Sequence, residues 1–180
     1  MHQLPVFPIL IITLIADKPT FATIKHLKSQ AYNNAMSQSS TCGGGAHGLL
    51  GAIMPPKQYQ LISQGGVIFN APIAPPAAPV HPAGVTGQQI TEINRQWTAD
   101  QDEYQKYITV LAALTQQILL KVPSTYYATI ADPVLAYANV TSLQLLHHLT
   151  TTYGLLDRRE IQSNEKRLNN EWSTNTPIED

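Results

Sequence analysis

One cysteine, few charges and no long apolar run are the first things the 180-residue chain lacks. A lone Cys42 excludes an intrachain disulfide and any multi-cysteine zinc site, and fits a reducing, cytoplasmic setting. Charged residues make up 13%, against about 25% in an ordinary globular protein. The polar surface must therefore come from Gln, Asn, Ser and Thr. Acids are absent from residues 18–91, which carry only Lys18, Lys25, Lys28 and Lys57, whereas residues 92–180 hold eleven acids against seven bases. A basic front and an acidic back would suit head-to-tail contacts, but a low-charge chain gives the same pattern by chance, and chance is the better reading. The apolar run Ile9–Ile15 is too short for a bilayer, which needs about 20 residues, and no basic residue precedes it as in a secretory signal. No membrane partner is expected.

What is present is helical periodicity. Ile90, Ile93, Trp97, Asp100, Tyr104, Tyr107, Leu111, Leu114 and Ile118 recur at steps of three and four, which predicts one long helix from Gln88 to Val122. Its other face carries Glu92, Arg95, Gln96, Gln101, Lys106 and Gln117 and suits water. Such a stripe needs neighbouring helices to cover it. Ahead of it, residues 1–18 read as an apolar arm or a short strand, the arm being favoured because a strand has no partner here. Phe21, Ile24, Leu27, Ala31 and Ala35 predict a helix over 19–35, and Tyr59 and Ile62 the inward face of a short one over 56–64. Five prolines between Asn70 and Gly87 predict an extended loop, the natural hinge between front and back halves. Beyond the long helix, Pro123 should interrupt it, with two further turns over 124–130 and a chain reversal at Asp132-Pro133. Thr141-Ser142-Leu143-Gln144 is a capping box, whose loss costs about 1 kcal/mol. It opens a helix burying Leu145, Leu146, Leu149 and Tyr153, with Gly154 as a left-handed terminator. A last helix from Asp157 should bury Ile161, Leu168 and Trp172.

Candidate chemistry is thin. Gly43-Gly44-Gly45-Ala46-His47-Gly48 satisfies G-x-G-x-x-G, but no strand precedes it and no acid follows about 20 residues on, so a tight loop is the better reading. No two of the six histidines stand four apart on a helix, which argues against a metal site; His147 and His148 diverge by about 100°, one to the core edge and one to solvent. Cys42 and His47 lack a local acid for nucleophilic catalysis. Asp100, Asp102 and Glu103, with Arg95 and Lys106 in reach, read as a solvated, salt-bridged face. Arg158-Arg159 and Lys166-Arg167 form too small a basic face to specify nucleic acid. Neither a catalytic residue nor a cofactor or metal ligand is assigned, and no small-molecule substrate is expected.

Three blocks carry a resemblance. They are Gly-Gly-x-His-Gly-x-Leu-Gly at Gly44 to Gly51, Leu146-x-His148-Leu149 running to Tyr153-Gly154, and Asn164-x-x-x-Leu168-x-x-x-Trp172 followed by Pro177-Ile178-Glu179. In this order and spacing the chain resembles the gag polyprotein of copia-type LTR retrotransposons from about Lys18 to Glu179. The resemblance implies an all-α, capsid-like fold of two small lobes around the long helix. It further implies a structural, non-enzymatic role in self-assembly, with RNA as a partner. The sequence departs from a full gag in having no Cys/His zinc knuckle for RNA. A truncated, non-assembling relic is the alternative, and a small Cys42/His47 enzyme a third reading.

Overall fold

A computed structural model describes residues 12–63, 65–154, 161, 162, 165 and 166. Four α-helices lie wholly among the described residues: α1 (Phe21–Met36), α2 (Pro56–Ile62), α3 (Gly87–Lys121) and α4 (Ser142–Tyr153); Ile161, Gln162, Glu165 and Lys166 are helical as well. Among the described residues there is no strand beyond an isolated bridge between Asp132 and Ala136. The fold is all-α, with α3 as its central helix, and no described helix is long and apolar enough to cross a membrane.

Helix starts follow local chemistry. Thr20, Thr86 and Thr141 each cap a helix, the hydroxyl accepting from the amide three residues on while that residue's side chain accepts the cap amide. At α1 the reciprocal partner is Thr23, which takes the Thr20 amide at 2.8 Å. This box starts α1 at Phe21, two residues later than the expected Pro19. Pro123 ends α3 as expected, and the chain after it forms two 3₁₀ turns, Ser124–Tyr126 and Ala128–Ile130. Asp132 then accepts the amides of Val134 and Leu135 at 2.8 Å each and reverses the chain.

One apolar core joins both halves of the sequence. Ile24, Leu27, Ala31 and Ala35 of α1 meet Val110, Leu114 and Ile118 of α3 and Leu145, Leu146 and Leu149 of α4. Ile12 and Ile15 plug into the same core, and the Ile15 amide donates to the Lys121 carbonyl at 2.8 Å, satisfying one of the orphan acceptors at the end of α3. The front end is thus a packed arm over the described residues 12–15; the rest of the β-branched run lies outside them. Leu50, Met54 and Tyr59 form a satellite cluster, linked to the main one through Tyr32 and Phe69. The Pro-rich stretch is therefore no hinge between separately packed halves: α1 precedes it and packs directly on α3 and α4.

Three expectations need correction. Ile62 is 44% exposed, because α2 ends there and only Tyr59 of that helix is buried. Gly154 has φ −85° and is not left-handed; a Cβ there would lie 2.5 Å from the Thr150 carbonyl oxygen, so close approach and not handedness asks for glycine. Ile161 is exposed, while Leu168 and Trp172 lie outside the described residues.

Candidate interaction surfaces

The glycine block is a built loop. Gly48 sits at φ +52°, and the Leu49 amide that follows donates to the Ala35 carbonyl at 3.0 Å, folding the loop back over the end of α1. His47 packs edge-on against Tyr59, whose hydroxyl donates to the Gly43 carbonyl at 2.9 Å. The block is thus packed at Gly43, His47 and Gly48 while Gly44, Gly45 and Ala46 are exposed, and no helix of the phosphate-cradling kind starts within it.

Cys42 and His47 have separate partners. The Cys42 thiol is directed to a Glu103 oxygen at 3.8 Å, and the His47 ring is committed to Tyr59, with its Nε2 buried and unpartnered in this structure. The acid that Cys42 lacks in sequence is supplied from α3, 61 residues away. Glu103 is accordingly no part of a solvated salt-bridged face. It accepts from Ser40 Oγ at 2.6 Å and from the Thr41 amide at 3.1 Å, while Lys106 donates to the Ser39 carbonyl and, at 2.8 Å, to its hydroxyl. These two side chains clamp the 39–42 loop onto α3. Asp100 pairs with Gln96, and Arg95 with Glu92 in the one ion pair among the described residues.

Partial burial raises the Glu103 carboxyl, but the Ser40 and Thr41 hydrogen bonds, the Lys106 charge and the Cys42 thiol outweigh it. Net, Glu103 is held below its ordinary value near 4.5. A depressed carboxyl contributes stability that is present above its unfolded-state value and is lost as pH falls through the folded one. Urea midpoints of wild type should therefore fall more steeply than those of Glu103→Gln between pH 7 and about pH 3. Parallel curves would show that the clamp adds no charge-dependent stability.

His147 is exposed, and half-buried His148 meets the Tyr126 carbonyl at 3.0 Å, as the divergent spacing requires. No group of three or more His, Cys, Asp or Glu able to hold a metal exists among the described residues. Of the basic pairs only Lys166 is described.

Two surfaces remain. The first is a groove of about 560 Å³ along α1. Phe21, Lys25, Lys28, Tyr32 and Met36 recur at helical spacing beside the buried stripe, so α1 shows one apolar face to the core and a second, lysine-studded one to the groove. Leu50, Met54 and Ile62 form the facing wall. No acid is among the described residues lining it; of its polar members Lys25, Ser29 and Asn33 are exposed and Lys28, Tyr32 and Thr150 half-buried.

The second surface is the Pro-rich segment lying along α3. The Trp97 indole N–H donates to the Pro76 carbonyl at 2.9 Å, and Gln101 reaches the same oxygen at 3.5 Å. Pinned in this way, the segment and α3 border an open cleft of about 750 Å³, with Ile73, 89% exposed, and Val80, 71% exposed, on one side and Asp100 and Glu103 on the other. No base is among the described residues lining this surface.

Neither surface was legible as such, because each is built from stretches distant in sequence; the exposed aliphatics between prolines were the one local sign of the second. No family model matches the chain, and comparisons with curated proteins and with solved structures also return no match.

Proposed function

We propose that this chain is a structural gag-like protein of a copia-type retrotransposon, whose helical surfaces associate copy to copy, with RNA as a second partner. On this reading the described residues form one capsid-like lobe. The groove along α1 carries the proposal. It is an open apolar trough with no convergent buried polar groups to orient a small ligand, so it offers its area best to another macromolecule. The shared motifs support it from a second side. The block at Gly44 to Gly51 folds the chain onto α1 and Tyr59, and Leu146, Leu149 and Tyr153 pack α4 into the core, so these residues serve architecture, as a structural role requires.

Light scattering over a concentration and salt series, with and without RNA, tests the role. Particle mass should rise with concentration. A chain that stays monomeric throughout, with RNA present or absent, has no assembling function, and the non-assembling relic would then be the better account.

A further inference from the structure

Among the described residues the α1 groove stays open over Phe21, Met36 and Ile62, all large apolar side chains left exposed. Lys25 and Lys28 border it, and neither is ion-paired to a described carboxylate; the Lys28 ammonium stands 5.8 Å from the Tyr32 ring centroid instead. Gly154, the residue after α4, lines the same groove, so the chain passes on to residues 155–180 from its rim. We propose that residues 168–180 of the same chain, which lie outside the described ones, occupy this groove. The seat is independent of the self-associating role proposed above; its effect on assembly rests on that role.

Charge and chemistry select this occupant. Residues 168–180 carry Glu171, Glu179 and Asp180 and no base, against a groove lining that holds lysines and no described acid. A second copy's groove laid on this one would oppose lysines to lysines. The segment also brings Leu168 and Trp172, four apart as on one helical turn, in register with Ile161. Ile161 is helical and left 42% exposed, and an apolar stripe of this kind is stable only when something covers it. Met36 and Met54 in the groove wall are flexible thioether side chains that adapt to an indole and make favourable contacts with its edge.

Reach is sufficient. Leu168 follows Gly154 by 14 residues, which span about 21 Å as helix and up to about 46 Å when extended, against about 24 Å for the 16 residues of α1. A tether this short gives an effective concentration on the order of millimolar, far above that of the same segment on other copies. A groove filled from within is closed to a neighbour. Association through it then draws only on the fraction of chains whose segment has left, and the apparent affinity falls by that fraction. Residues 168–180 thus restrain self-association.

Trp172 reports its own seat. In the whole chain carrying Trp97→Phe it is the only indole. Where sedimentation shows single copies, acrylamide should quench it several-fold less than free tryptophan amide. Lys25→Glu/Lys28→Glu should abolish this protection, and adding Glu171→Lys/Glu179→Lys should restore it, with helical circular dichroism unchanged throughout. A freely quenched indole, or protection indifferent to the groove charges, overturns the seat. Protection that appears only as copies associate overturns it as well, because the groove is then filled by a neighbour's segment. Leu168→Ser/Trp172→Ser frees the groove and should strengthen association by about tenfold. Association unchanged by that variant overturns the restraint. A protected Trp172 in a chain that never associates, with or without that variant, removes the assembling role and keeps the seat.

Discussion

Gly48→Ala is expected to destabilise the chain by about 3 kcal/mol or more, a large share of the roughly 5–15 kcal/mol that holds a domain folded. Gly48 lies at φ +52°, where any Cβ is strained, and the strain alone is worth about 1–3 kcal/mol. The added methyl would also press on the carbonyl oxygens of Gln38, of Met36 at 2.6 Å and of Ala35 at 3.0 Å. These are backbone atoms at the end of α1, and they cannot turn aside as a side chain would. Gly65→Ala is the control. Its φ of +77° imposes similar strain, but nothing lies within 4 Å of the new methyl, so the loss should stay near 1 kcal/mol. Urea midpoints separate the two contributions. Equal losses at both positions would mean that the loop moves freely off α1, and that the glycine block is not the packed structure described.

Leu114→Ala should be the most damaging truncation on α3, at about 2–5 kcal/mol, because Leu114 is fully buried between α1 and α4 and leaves a cavity they cannot close. Ile90→Ala, on the same helical stripe, should cost under about 1 kcal/mol. Ile90 is only half-buried, and α3 has no buried residue before Val110. Chemical denaturation of the pair checks the contrast. Comparable losses would show that the outer part of the stripe is covered as well as the inner part.

That contrast also marks how far the sequence could be read. The limits of α3, Gly87–Lys121 against an expected Gln88–Val122, were legible because spacing and an unbroken run without Pro are local properties. The Thr141 box and the buried Leu145, Leu146 and Leu149 were legible for the same reason. Periodicity identifies a face but not what covers it. The stripe from Ile90 to Ile118 therefore read as uniform, when only its last turns enter the core and its first turns carry the Pro-rich segment. The Thr20 box escaped notice because threonine, and not Glu or Gln, closes it. Glu103 was misread because its partners lie more than 60 residues away, across a loop whose path no local signal specifies.

The length of α3 has a further consequence. Its outer turns carry the Pro-rich segment through Trp97 and Gln101, and the core gathers about its inner ones from Val110 onward. The rod between them acts as a ruler between segment and core. A seven-residue insertion between Lys106 and Val110 would lengthen that rod by about 10 Å and turn its outer end by about 20°, whereas a two-residue insertion would add only about 3 Å yet swing it by about 160°. Reach and direction of the outer end are thus written in helix residues, and the second is far more sensitive to their number than the first.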